Sequence, residues 1–137
     1  MFNPSIEEEM QMSSDNYKAG EKMRRAVIGD KRVDETMADP DDFARPLMDL
    51  TTEFAWGMIW NRPGLDRRTR SFMNLAMLAA LNRPHEIAVH VRGALNNGLT
   101  REEIQEVFLH VLAYCGAPAA IDATNVAKRV FAEIDAE

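Results

Sequence analysis

Three groups of residues have the types and the spacing for chemistry. In "RPHEIAVHVRG" the carboxylate of Glu86 and the imidazole of His90 stand four residues apart, one above the other on a helix. The pair reads either as an ordinary surface Glu–His contact or as a proton carrier, with the acid orienting the ring and raising its pKa toward neutrality. Gly93 continues the row; it costs a helix about 1 kcal/mol relative to alanine and leaves room beside His90 for a ligand or a crossing helix. In "LDRRTRS", Arg67, Arg68 and Arg70 fall in the first turn after Asp66, where cations oppose the helix dipole. That placement asks for compensating anions, supplied by the chain's own carboxylates (Asp41, Asp42, Asp66) or by a bound acid. Arg92, two residues past His90, adds a further planar fork of donors. Trp56 and Trp60 share a helix face, as core packing or as an aromatic wall over a flat ring.

Other groups point away from chemistry. "HEIAVH" resembles a zinc-protease signature, but His85 and His90 are five apart and diverge by roughly 140° around a helix, so no metal is expected there. His85, in the first turn after Pro84, is expected at the surface. His110, beside Glu103 and Glu106, is expected in solvent or at an interface. Cys115, the one cysteine, permits no internal disulfide and has no basic neighbour; it reads as a buried small apolar residue in a reducing compartment. A net charge of −6 without a long basic stripe argues against nucleic acid. "MFNPSIEEEM" is acidic and lacks the apolar centre of a secretory signal, and no apolar run reaches the roughly 18 residues of a membrane span. A cytoplasmic protein is the resulting expectation.

Helical periodicity positions these groups, and nothing alternates as a strand would. Ser5 with Glu8 forms a capping box opening a helix to about Ile28, stopped by Gly29. Its apolar face is thin and broken by "SSDN", so residues 1–15 are expected to fray or to dock on a neighbour. "KRVDETMADPDDF" reads as a connector with at most a short helix near 33–37. Pro40, Asp41 and Asp42 signal a helix running to Trp60, with Pro46 in its first turn. Asp66 caps a helix to about Leu81 that is apolar from Phe72 onward except at Asn74, which predicts burial on all sides, within the bundle or at a subunit interface. Pro84 opens the next helix and Gly98 ends it. Thr100 with Glu103 opens another, carrying Ile104, Val107, Phe108, Val111 and Leu112 as a stripe. "GAP" at 116–118 breaks it, and a final helix shows Ala120, Thr124, Ala127, Val130, Phe131 and Ile134 on one face. The 137 residues thus predict one all-α domain, a compact bundle of about six helices. So many apolar faces on so small a chain predict an obligate oligomer.

Several long stretches carry a family likeness. "YKAGEKMRRAVIGD", "FAWGMIWNRPGLDRRTRS", "NLAMLAALNR", "HVRGALNNGLTREEI" and "YCGAPAA" span about Tyr17 to Phe131. Through them the chain resembles the carboxymuconolactone decarboxylase family. The resemblance implies an alkylhydroperoxidase D-like all-helical fold, a homohexamer, and a lyase without metal or organic cofactor in bacterial catabolism of aromatic acids such as protocatechuate. It implies decarboxylation of 4-carboxymuconolactone, a lactone dicarboxylate, to the 3-oxoadipate enol-lactone. His90 supported by Glu86 would deliver the proton, Arg70 or Arg92 would grip the acetate arm, and Trp56, with Trp60, would wall the departing carboxylate. The peroxidase branch of the same superfamily carries Cys-x-x-Cys-x-x-x-His; with its histidine on His90, Arg83 and Glu86 occupy the cysteine positions, so thiol chemistry is not expected. Ala55 departs from the family pattern before the Trp-Gly pair. A related decarboxylase or isomerase acting on another cyclic acid, and a non-catalytic helical scaffold, are the alternatives.

Overall fold

The computed structural model describes residues 3–38 and 41–137. Seven α-helices and one π-helical segment make up its regular structure, with no strand among the described residues. The chain divides after Gly64 into two compact units.

In the first unit, α1 (Ile6–Ile28) begins at the expected capping box: Ser5 Oγ accepts from the Glu8 N–H, and the Glu8 carboxylate accepts from the Ser5 N–H at 2.7 Å. Ile6, Met10 and Met12 on its opening turns are exposed. It ends at Gly29, whose φ of 88° a side chain would resist. α2 (Asp30–Met37) follows, longer than the connector predicts. The single helix expected up to Trp60 is instead a turn, a short α3 (Arg45–Leu50) with Pro46 in its first turn, and a π-helix over Thr51–Ile59. The start signal at Pro40 lies outside the described residues.

Tertiary contact with α1 accounts for the wider helix. A Cβ built on Gly20 would lie 1.9 Å from the Thr52 carbonyl oxygen, and one on Gly57 would lie 2.1 Å from the Asn16 carbonyl oxygen. Positions 16 and 20 span one turn of α1, and positions 52 and 57 span one i→i+5 turn of the π-helix, so the two backbones touch at matching intervals. Asn61 closes the segment, its Nδ2 donating to the carbonyls of Trp56 at 2.9 Å and Gly57 at 3.1 Å. Trp56 within it and Trp60 at its C-cap stack, with ring centroids 4.9 Å apart, and both are buried. Arg24, also buried, reaches the Thr52 hydroxyl at 3.5 Å.

The second unit is a four-helix cluster: α4 (Arg67–Ala80), α5 (Pro84–Asn96), α6 (Arg101–Cys115) and α7 (Ala117–Asp135). Each start matches its sequence signal. Asp66 accepts from the Thr69 N–H at 2.7 Å, and Thr100 and Glu103 form the second capping box. The tight turn between α4 and α5 places Asn82 at φ 54°, a left-handed conformation that asparagine tolerates. The core is Leu75 and Ala79 from α4, Ile87, Val91 and Ala94 from α5, Ile104, Val107, Phe108 and Val111 from α6, and Ala123, Val126, Ala127 and Val130 from α7. Burying each of the larger side chains contributes roughly 1.5–3 kcal/mol.

The apolar run of α4 is not buried on all sides within the single chain, where Met73, Met77 and Leu81 are exposed; of the two expected surroundings, the bundle interior alone does not cover it. Leu112 and Thr124 likewise fall outside the buried stripes of α6 and α7, because the α4–α5 pair covers only one face of each. No helix among the described residues is long and apolar enough to cross a membrane.

Candidate active site

The second unit buries two titratable side chains, His90 and Arg70. His90 lies on α5 among Ile87, Val91 and Ala94 and is only 8% exposed. Its Nδ1 is 3.4 Å from the amide Nδ2 of Asn74 on the neighbouring α4. Two turns further along α5, Asn97 Nδ2 donates to Ser71 Oγ at 2.9 Å and to the Arg67 carbonyl at 3.4 Å. The two bridges run in antiparallel register: 90 to 74, and 97 to 71. One face of α4 therefore carries Arg70, Ser71 and Asn74 beside the face of α5 that carries His90 and Asn97. Arg70, one turn before Asn74, is itself buried at 9% exposure. A guanidinium and an imidazole next to the same seam suit an anion that must be held and protonated.

The electrostatics correct the expectation for His90. The Glu86 carboxylate does raise its pKa, but burial acts more strongly in the other direction, and the net result lies below the ordinary 6.5. At neutral pH the ring of the free protein is therefore uncharged. Sequence spacing reveals the acid four residues away; it does not reveal that the ring points inward. Glu86 itself is exposed, with one carboxylate oxygen 3.8 Å from His85 Nε2, and His85 is at the surface as expected.

The arginines separate into distinct roles. Arg68 pairs in a bidentate manner with Glu103, its Nη1 at 2.8 Å from Oε2, and lies 5.3 Å from the centre of the Phe72 ring. It thus ties the start of α4 to the capping box of α6. Arg92 stands about 200° around α5 from His90, and it meets Glu133 at 3.4 Å and Glu137 at 2.9 Å on the last turns of the chain. Arg70 is the member of the cluster aligned with the His90 seam. Trp56 and Trp60 belong to the first unit, where their stacked, buried rings are core.

Cys115 is exposed, not buried: it ends α6 just before the break at Gly116, with its side chain on the outer face. His110 is exposed too, its ring 5.0 Å from that of Tyr114. Sequence reasoning passed over Ser71 and Asn74 as site residues. Their signal was present as two polar residues three apart, which face His90 and Asn97 once the helices pair antiparallel.

The model of the Carboxymuconolactone decarboxylase family matches residues 45–129. A protein of Acinetobacter baylyi named 4-carboxymuconolactone decarboxylase is 40% identical over 118 residues, which cover 86% of this chain and 88% of that protein. A protein of Metarhizium robertsii named nitrosuccinic acid decarboxylase is 41% identical over 113 residues, 82% of this chain and 79% of that one.

Proposed function

Because the chain belongs to the carboxymuconolactone decarboxylase family, we propose that it is a carboxy-lyase converting 4-carboxymuconolactone to the 3-oxoadipate enol-lactone. The observation that carries this reading is the buried His90, seated against Asn74 on the α4 face that also bears Arg70.

The substrate is a five-membered unsaturated lactone whose γ carbon bears both a carboxylate and an acetate arm. The bond to the carboxylate breaks, CO2 leaves, and the electron pair moves through the ring double bond onto the lactone carbonyl oxygen. Protonation of the resulting furan-like enolate at its α carbon completes the product. The lactone is its own electron sink, so the protein has only to bind, to stabilise the oxyanion and to supply one proton. Arg70 grips the acetate arm as a bidentate fork. His90 enters neutral. The dianion beside it, acting in the same direction as Glu86, favours the charged ring, so a proton is taken up on binding and delivered to the enolate. The apolar side chains around His90 leave the departing carboxylate poorly solvated, which favours its conversion to neutral CO2.

The fungal relative supports a statement of substrate class. Nitrosuccinic acid and the lactone both carry a CH2–COO⁻ arm on the carbon that loses CO2, and both hold an internal sink, a nitro group in one and a conjugated carbonyl in the other. Recognition of that shared succinate skeleton by Arg70, with His90 as proton donor, accommodates either sink. The test is the ultraviolet change on mixing the protein with freshly generated 4-carboxymuconolactone, and separately with nitrosuccinate, with no metal or nucleotide added. Turnover of the lactone is expected, with nitrosuccinate slower. Consumption of neither above the buffer rate, by protein of intact helicity, would overturn the reading.

The assembly belongs to the same proposal. Met77, Leu81, Leu109, Leu112, Tyr114 and Ile121 expose large apolar surface on the second unit, more than a lone domain ordinarily leaves in water. That supports a homo-oligomer, a hexamer by the family resemblance, in the cytoplasm. The family match spans residues of both units, which supports one functional domain over 1–137.

A further inference from the structure

We propose that Asn97 is a positioning residue of this site, clamping the turn of α4 that carries Arg70 so that the guanidinium stands in place for the acetate arm before substrate arrives. The inference rests on the proposed reading of Arg70 as the anion anchor and adds the residue that holds that anchor.

Asn97 ends α5 seven residues past His90, two turns on and on nearly the same face. Its backbone is fixed there, the N–H donating to the Gly93 carbonyl at 2.9 Å. From that point the side-chain amide donates to Ser71 Oγ at 2.9 Å and to the Arg67 carbonyl at 3.4 Å. Positions 67 and 71 are the two ends of one turn of α4, and Arg70 lies between them. The Ser71 contact holds whichever end of the amide faces it, since a hydroxyl both donates and accepts.

That turn needs holding. Arg67, Arg68 and Arg70 put three cations at a helix start, where they oppose the dipole and favour fraying. The Asp66 cap acts within the turn itself, on the Thr69 N–H. Arg68 ties the turn to Glu103 on α6 through two long, part-exposed side chains, and such ion pairs constrain weakly in water. Asn97 instead joins the turn, through one short side chain, to the helix that bears His90. Arg70 is buried, so its packed neighbours deny the guanidinium the freedom to make up for a shifted backbone. The fork goes where the turn goes, and Asn97 fixes the turn relative to His90.

Hydrogen exchange of the ligand-free protein reads the clamp directly. The Arg70 N–H closes the first turn of α4 by donating to the Asp66 carbonyl at 3.1 Å. It is expected to be protected in the wild type and about 10-fold less protected in Asn97→Ala, as for the loss of two modest hydrogen bonds, with the Leu75 amide unchanged. In turnover, Asn97→Ala is expected to raise KM for 4-carboxymuconolactone about 10-fold on the same ground, with kcat moving less. In an Arg70→Gln background the same substitution should leave KM where it is, because no guanidinium remains to misplace. A frayed Arg70 amide in the wild type overturns the proposal, and that measurement needs no variant to fold. Exchange unaltered by alanine, KM unaltered by it, or an equal rise in KM in both backgrounds (the mark of a general structural effect) overturns it equally. The exchange is measured without substrate. A failure of the decarboxylase reading would appear as absent wild-type turnover and leave the exchange result standing, so the two failures are distinguishable.

Discussion

Replacing His90 with glutamine is expected to lower kcat by about 10² to 10⁴, the usual contribution of a positioned general acid, or about 2.7–5.5 kcal/mol of transition-state stabilisation. Glutamine keeps a polar side chain of similar reach and can still hydrogen-bond to Asn74, so the fold should survive. It cannot carry a proton between solvent and the enolate. KM should change little, because Arg70 remains to hold the acetate arm. The same variant should lessen sensitivity to acid. The folded-state pKa of His90 is depressed below 6.5, so below that pH the unfolded chain binds a proton that the folded chain refuses, and stability declines as pH falls. Above 6.5 both states are neutral and the term vanishes. Steady-state kinetics with an acid-denaturation series checks both parts; full activity in a folded His90→Gln protein would remove the proton donor from the mechanism.

Gly20→Ala is expected to destabilise the first unit by about 2–4 kcal/mol, against the gain of about 1 kcal/mol that alanine normally gives a helix interior. The added methyl would lie 1.9 Å from the Thr52 carbonyl oxygen and within 2.9 Å of its carbon. Those are backbone atoms of the π-helix, so no rotamer change relieves the overlap. Either α1 must move away or the π segment must rewind, and both separate surfaces that now touch. Gly64→Ala is the matched control, since a Cβ there meets nothing within 4 Å. Denaturant unfolding should show a lowered midpoint for Gly20→Ala and none for Gly64→Ala. A Gly20→Ala protein as stable as the wild type would show that the close crossing does not govern packing.

The contrast between those two sites indicates what a sequence discloses. Both capping boxes, the Asp66 cap and the stops at Gly29 and Gly98 are local signals, because three or four neighbouring residues satisfy one another's hydrogen bonds without reference to the rest of the chain. The π-helix is not local. "TTEFAWGMI" has an ordinary helical apolar pattern, and what widens it is an encounter with Gly20 more than 30 residues earlier. In the site, the Glu86–His90 spacing was legible, and so was the demand of the arginine cluster for a carboxylate of the chain, which Glu103 meets at Arg68. Asn74 as the partner of His90 was not legible, since that contact depends on the antiparallel register of α4 and α5. The direction of the His90 pKa was misread for the same reason, because charge neighbours show in the sequence and desolvation does not. The lack of a second cysteine and of a basic neighbour argues for a buried Cys115, but neither bears on where the end of α6 lies, and that end is exposed.

The most direct test is to titrate the His90 imidazole by NMR, free and with saturating methylsuccinate, a dicarboxylate that keeps the succinate skeleton but has no electron sink and cannot lose CO2. The free ring should titrate below 6.5, and the bound ring should titrate higher by about one unit or more, as two carboxylates arrive beside it. An unchanged titration in protein demonstrably bound to the ligand would place the anion away from His90 and contradict the proposed chemistry.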